Sequence, residues 1–124
     1  MGEMAKREEF TLGELQEMIK SSVEKSLPSK YWVRAETGEV KVHSAGHCYI
    51  DLIERNPENS VITAKLQAVI WSSAFRMLKP YFETTTGRAF ERGLTVLVYV
   101  QVSYSPVYGL SLVISDIDPS YTIG

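Results

Sequence analysis

The sequence has little that would suit an oxidising compartment or a membrane. Cys48 is the one cysteine among 124 residues, so no disulfide can form within the chain. No apolar run approaches the roughly 20 residues that cross a bilayer. The polar start of the chain lacks the apolar core of a signal peptide. These absences predict a cytoplasmic protein with no membrane partner.

An excess of positive charge is also missing. The net charge is −2, from 13 Lys and Arg against 15 Asp and Glu. Residues 1–29 hold four basic and six acidic side chains, and the rest of the chain holds nine of each. A neutral domain can bind a single-stranded nucleic acid by stacking on its bases, but electrostatic attraction alone does not suffice. We therefore expect any such binding to be weak.

Catalytic and metal-binding patterns are absent as well. The sequence has neither a G-x-S-x-G motif nor a glycine-rich phosphate loop. Asp116 and Asp118 are interpreted as the end of a strand and the start of an exit turn. His43, His47 and Cys48 lack a fourth ligand at the spacing of a zinc site. The sequence thus predicts no catalytic site and no metal site within these 124 residues.

One amphipathic helix is predicted near the start of the chain, within residues 10–28, after a flexible tail over residues 1–9. Thr11 and Glu14 form a T-x-x-E capping box, and Pro28 ends the helix. Apolar residues recur at helical spacing: Leu12, Leu15, Ile19 and Val23. We expect this apolar face to dock on the rest of the protein, or else to meet a partner chain.

From Lys30 onward the hydrophobic period changes to two, which is typical of strands. Five strands are predicted, at residues 31–42 with an interruption at Thr37-Gly38, 47–53, 61–70, 94–104 and 108–116. A short helix over residues 72–82, ended near Pro80, and a loop over residues 84–87 separate the third and fourth strands. This order matches the five-stranded oligonucleotide/oligosaccharide-binding (OB) barrel. The predicted fold class is all-β with added helices: an OB-fold barrel over residues 30–119, preceded by the N-terminal amphipathic helix.

Two blocks of residues carry a family resemblance, and the last strand supports it. The blocks are Trp32, Val33, Ala35 and Glu36, and then Gly46, His47 and Tyr49. The supporting segments are residues 108–114 and 116–119. In these residues the chain, over about positions 10–124, resembles the N-terminal OB-fold domain of the exodeoxyribonuclease VII large subunit.

The resemblance implies a function and partners. The family degrades single-stranded DNA to oligonucleotides, together with a small subunit, and a divalent metal such as Mg²⁺ is commonly linked to its activity. This domain would hold the strand, while the catalytic part and the contacts to the small subunit lie in regions absent here. Residues 120–124 would begin a linker to that catalytic domain. Two alternatives stay open: a stand-alone OB module that binds RNA or tRNA, and an OB-fold that binds another protein.

Candidate contacts come from the ligand face of OB barrels, which is centred on strands two and three and the neighbouring loops. Strand alternation, with loop residues added, predicts these nucleic-acid-binding residues: Arg34, Lys41, His43, His47, Tyr49, Lys65 and Trp71. Tyr49 and Trp71 would either stack on bases or pack on the barrel itself. Trp32 is expected in the core, because tryptophan buries a large area.

Overall fold

The computed structural model describes residues 6–124 and contains a closed five-stranded barrel. Around the barrel the strand order is β1-β2-β3-β5-β4. The elements in chain order are α1 (Leu12–Ser26), β1 (Lys30–Val42), β2 (Cys48–Arg55), β3 (Ile62–Ile70), α2 (Ser72–Thr86), β4 (Thr95–Ser105), β5 (Gly109–Ile117) and α3 (Pro119–Ile123). The OB-fold barrel predicted from the sequence is therefore confirmed, with its helix between the third and fourth strands. Part of the predicted flexible tail, residues 1–5, lies outside the described residues.

The long strand β1 closes the barrel because it is shared between two neighbours. Its first half pairs with β4 and its second half with β2, both antiparallel. The change of partner occurs at a bulge between Thr37 and Val40. At this bend Gly38 lies so close to β2 that a Cβ there would be 3.1 Å from the Cβ of Asp51. The predicted interruption at Thr37-Gly38 is this bulge, within one continuous strand.

The core follows the predicted alternation. Cys48, Ile50 and Leu52 of β2 point inward, as do Val96 and Val98 of β4. One end of the barrel is covered by aromatic rings from α2 and the segment after it: Phe75, Phe82 and Phe90. The strand registers behind the site predictions are confirmed, since Ala68 and Ile70 of β3 are also buried.

Helix α2 runs further than the sequence predicts. It continues through Pro80 to Thr86, and Gly87, at φ 69°, ends it in the left-handed conformation. The predicted end near Pro80 and the predicted loop over residues 84–87 are wrong. A proline inside a helix removes one hydrogen bond, but Phe75 and Phe82 on either side are both buried and hold the helix on the barrel.

The C-terminal end of α2 is fixed by a carboxylate. Glu83 accepts a hydrogen bond from the backbone N–H of Phe90 at 2.8 Å and one from Lys79 at 2.9 Å. The Phe90 N–H first, and the Lys79 ammonium second, lower the pKa of Glu83 below its ordinary value. This contact holds the segment after α2 against the helix.

Helix α1 begins as predicted, but its packing differs from the prediction. The Thr11–Glu14 capping box is present. However, no residue of α1 is buried, and Leu12 is 75% exposed. The helix lies against β4 through Gln16, whose amide donates to the carbonyl of Pro106 at 2.8 Å and whose side-chain oxygen accepts from the Tyr104 hydroxyl. The expectation that the apolar face of α1 docks on the barrel is wrong, because a polar contact positions the helix.

Two further segments depart from the sequence analysis. Trp32 is not in the core: Tyr31 and Val33 take the inward positions of β1, so alternation turns Trp32 outward, where it is 49% exposed. Residues 120–123, within the segment 120–124 that was expected to begin a linker, belong to the short helix α3, which Asp118 caps through Ser120. None of the helices in residues 6–124 combines the length and apolar character of a membrane span.

Candidate nucleic-acid interface

A groove of about 500 Å³ runs between β2, β3 and the hairpin that joins β4 to β5. Three aromatic side chains line it: Tyr49, Trp71 and Tyr108. The polar side chains in its lining are neutral: Gln67, Ser103, Ser105 and Ser111. The surface therefore combines ring faces with hydroxyl and amide groups, and its lining includes no carboxylate that would repel a phosphate.

Tyr49 stands at the centre of the interface because of strand alternation. Its neighbours on β2, Cys48 and Ile50, enter the core, so the tyrosine ring points out of the barrel. His43, in the turn between β1 and β2, lies edge-on to this ring with the centroids 4.5 Å apart. The backbone N–H of His43 donates to the carbonyl of His47 at 2.9 Å, which closes the turn. The rings of His43 and Tyr49 thus form one fixed pair.

Trp71 is held at the start of α2 by His47. The Nδ1 atom of His47 accepts a hydrogen bond from the backbone N–H of Ser72 at 3.0 Å. The ring of His47 meets Trp71 edge-on with the centroids 5.0 Å apart. Gly46 has φ 89°, and a Cβ there would lie 3.2 Å from Ser72. The half-buried His47 therefore contacts the tryptophan ring and accepts a hydrogen bond from the first residue of α2.

Tyr108 extends from the tip of the β4–β5 hairpin and is 90% exposed. The Ser105 hydroxyl accepts hydrogen bonds from the backbone N–H groups of Val107 and Tyr108, at 3.2 and 3.1 Å, which fixes the turn. Tyr108 is not among the binding residues predicted from the sequence. The signal was available, because the loop between strands four and five belongs to the ligand surface of OB folds.

A second cavity, of about 370 Å³, adjoins the groove at Tyr49 and Gln67 and has a different electrostatic character. Its lining includes Glu39 and Asp51 together with Lys41. Lys41 pairs with Glu39 at 3.3 Å, and Lys65 of β3 pairs with Asp51 at 3.8 Å. Because carboxylates neutralise both lysines, this part of the surface attracts phosphate less than its basic residues suggest.

The structure brings most of the predicted binding residues together. Lys41, His43 and Tyr49 line the second cavity, and Tyr49 and Trp71 line the groove, with His47 behind Trp71. Arg34 and Lys65 do not join them in the groove. Both line a cavity of about 520 Å³ at the end of the barrel that α2 leaves open. Its lining is mostly apolar: Leu27, Tyr31, Val33, Ala35, Leu52, Ile53, Ala64, Leu66, Val100, Val102, Leu110 and Leu112.

The residues that resembled a catalytic or metal site have local structural roles. Asp118 caps α3, and Asp116 accepts a hydrogen bond from the N–H of Ile117 at 2.8 Å. Burial raises the pKa of the Cys48 thiol to about 11, so the thiol is neutral at physiological pH. Within residues 6–124, no three His, Cys, Asp or Glu side chains are grouped as a metal ion would require.

Comparison with known proteins agrees with this architecture. Residues 10–118 match the family model described as OB-fold nucleic acid binding domain. The chain is 30% identical, over 117 residues and 91% of its length, to the exodeoxyribonuclease 7 large subunit of Deinococcus radiodurans. It spans 28% of the length of that relative.

Among solved structures, the chain is similar to the mitochondrial single-stranded DNA binding protein Rim1 of S. cerevisiae. The sequence identity is 20%, the coverage is 73% of this chain and 92% of the other, and the TM-score is 0.44. The match of the family model extends over all five strands of the barrel together with α1. The chain therefore belongs to the family of OB-fold nucleic acid binding domains.

Proposed function

We propose that the chain binds single-stranded DNA in the groove between β2, β3 and the β4–β5 hairpin, as the OB-fold domain of an exodeoxyribonuclease VII large subunit. The observation that carries the proposal is the convergence on one groove of Tyr49 from β2, Trp71 from the junction of β3 and α2, and Tyr108 from the β4–β5 turn. The similarity to a curated large subunit supports the choice of family and ligand.

The groove favours a single strand over a duplex for a physical reason. A single strand exposes its base faces, and each base stacked on an aromatic ring contributes about 1–3 kcal/mol. In a duplex those faces are already stacked on one another. The groove lining includes no lysine or arginine, and Lys41 of the adjoining cavity is paired with Glu39, so we expect few phosphate contacts. We expect micromolar or weaker affinity and a small salt dependence, of about 0.7 in the log–log slope for each phosphate contacted.

The activity of the longer protein is part of the same proposal. A nuclease that degrades single-stranded DNA to oligonucleotides needs a reaction centre, and residues 6–124 offer no group of metal ligands. Their donor set does not fit a catalytic divalent metal such as Mg²⁺. We assign the metal, the catalytic residues and the contacts to a small subunit to other parts of such a protein, and its location to the cytoplasm. In this scheme the OB-fold supplies the strand and performs no chemistry.

Titration by fluorescence anisotropy tests the binding proposal. Labelled single-stranded DNA, single-stranded RNA and duplex DNA of one length are compared, with Tyr49→Ala and Tyr81→Ala as matched variants. Tyr81 is exposed on α2, outside the groove. We expect single-stranded DNA to bind best and Tyr49→Ala alone to weaken it, by roughly 5- to 150-fold for one lost stacking contact. Equal affinity for duplex, or equal effects of both variants, would contradict the proposal. Tighter binding of RNA would favour the RNA- or tRNA-binding alternative.

The alternative of a protein-binding OB-fold has one observation in its favour. The open end of the barrel exposes an apolar lining that includes Val33 and Leu66, and the apolar face of α1 is exposed as well. Exposed apolar surfaces of this kind mark protein contacts in many proteins. Sedimentation of the purified chain over a range of concentrations separates the two functions, because self-association that Leu66→Asp abolishes would favour protein binding.

A further inference from the structure

A second aromatic surface lies on the outer face of β1 and β4. Trp32 stacks against its cross-strand neighbour Tyr99, with the centroids 4.8 Å apart and the ring planes 30° apart. Lys30 places its Nζ 5.8 Å from the centroid of Tyr99. None of these residues lines the groove or the acidic cavity beside it. Trp32 therefore presents a ring to solvent, and Tyr99 packs against one side of it. The proposed function assigns no role to this region.

The charges around Trp32 differ from those beside the groove. Lys30 and Arg34 lie two residues before and after Trp32 on the same face of β1, about 6.6 Å away along the strand. Among the ion pairs of residues 6–124, neither takes part. Asp116 of β5 is the carboxylate in register with Tyr99. The surface thus offers an exposed ring between two cations that form no ion pair within residues 6–124.

We propose that Lys30, Trp32, Arg34 and Tyr99 form a second contact surface for single-stranded nucleic acid. A strand longer than the groove continues onto the β1–β4 face, where Trp32 stacks on a base and the two cations contact adjoining phosphates. The inference rests on the proposed function, because it extends the path of the same ligand. Rings flanked by cations are typical of sequence-independent single-strand binding. The core of a protein interface, in contrast, is depleted of lysine.

The two tryptophans of the chain allow a site-specific test. In the Trp71→Phe variant, Trp32 is the only tryptophan, and its emission reports on the β1–β4 face. This variant is titrated with a labelled thymidine oligonucleotide of about 20 nucleotides, which exceeds the roughly 4–16 nucleotides that one OB fold covers. We expect saturable quenching of Trp32. Binding seen by anisotropy without any change at Trp32 would overturn the inference and leave the proposed function intact. Because Trp71 lines the groove, the unsubstituted chain is titrated in parallel. Loss of binding in the variant alone would overturn the inference and leave the proposed function intact, whereas absence of binding by both proteins would overturn both.

Charge variants give a second readout that does not depend on the tryptophan. We expect Lys30→Ala and Arg34→Ala each to lower the salt slope of binding by about 0.7, whereas Arg76→Ala, an exposed arginine on α2, leaves it unchanged. Asp116→Asn should tighten binding, since it removes the negative charge beside Tyr99. Equal slopes for all three arginine and lysine variants would overturn the inference. A Trp32→Ala variant that changes sedimentation but not DNA affinity would assign the surface to a protein contact.

Discussion

Replacing Thr37 by valine removes one hydroxyl from the point where β1 leaves β4 and joins β2. Thr37 is 1% exposed. Its hydroxyl donates to the carbonyl of Glu91 at 2.7 Å and accepts from the N–H of Leu94 at 2.9 Å. Valine has nearly the same shape and no polar atom, so it changes the hydrogen bonds and little else. The Leu94 N–H is buried and would lose its partner, while the carbonyl of the exposed Glu91 can turn to water.

The magnitude follows from that one buried donor. An unsatisfied buried N–H costs about 1–3 kcal/mol. For a chain of this size each kcal/mol lowers the melting temperature by about 3–6 °C, so we expect Thr37→Val to lower it by about 3–18 °C. Thr37→Ser, which keeps the hydroxyl, should recover most of the loss. Thr63→Val is the control, because the Thr63 hydroxyl makes an exposed bond of 3.3 Å to the Glu54 carbonyl.

Thermal and urea unfolding, followed by circular dichroism, measure all three variants. The reasoning is refuted if Thr37→Val and Thr63→Val change the free energy of unfolding by the same amount, within about 0.5 kcal/mol.

Two substitutions and one measurement of thiol reactivity test other parts of the fold. Gly38→Ala puts a Cβ 3.1 Å from a side-chain carbon of β2 and should cost about 1–3 kcal/mol in urea unfolding, whereas Gly13→Ala on the exposed α1 should cost nothing. The buried Cys48 thiol should react with Ellman's reagent only in the unfolded chain. Burial raises its pKa from 9.0 to about 11. The protonated thiol therefore contributes fully to the free energy of unfolding below pH 9, and this contribution is lost as the pH rises through 11. His47→Ala should lower stability by about 1 kcal/mol and shift the Trp71 emission, while His43→Ala changes neither.

The sequence predicted the barrel because strand alternation depends on neighbours along the chain. It failed where contacts from distant segments override local signals. Pro80 marks a helix end locally, but the buried rings of Phe75 and Phe82 extend α2 past it. The size of Trp32 suggested burial, whereas the inward positions beside it were already taken by Tyr31 and Val33. The position of α1 depends on Gln16 contacting Tyr104, 88 residues away, and no periodicity shows that contact.

The candidate site could be predicted only where strand alternation or another local signal places its residues. Tyr49 and Trp71 could be placed from alternation and from the helix start, and the structure brings them to one groove. The ion pair of Lys65 could not be predicted, because its partner Asp51 lies on a different strand and reaches it diagonally, one position from Gln67 on the same face, only in the native register. The place of Tyr108 in the groove could not be predicted from strand alternation, because this residue lies in the turn between β4 and β5. Its exposure follows from the turn that Ser105 fixes.

Chemical-shift mapping of the ¹⁵N-labelled chain with a single-stranded DNA oligonucleotide tests the central claim most directly. We expect the amides of Tyr49, Gln67 and Tyr108 and the indole N–H of Trp71 to shift together and saturably, because these groups line one groove. Amides around Tyr81 on α2 should stay unchanged, since that face lies outside the groove. Saturable shifts confined to α2, or no shifts at an oligonucleotide concentration far above that of the protein, would contradict binding in the groove.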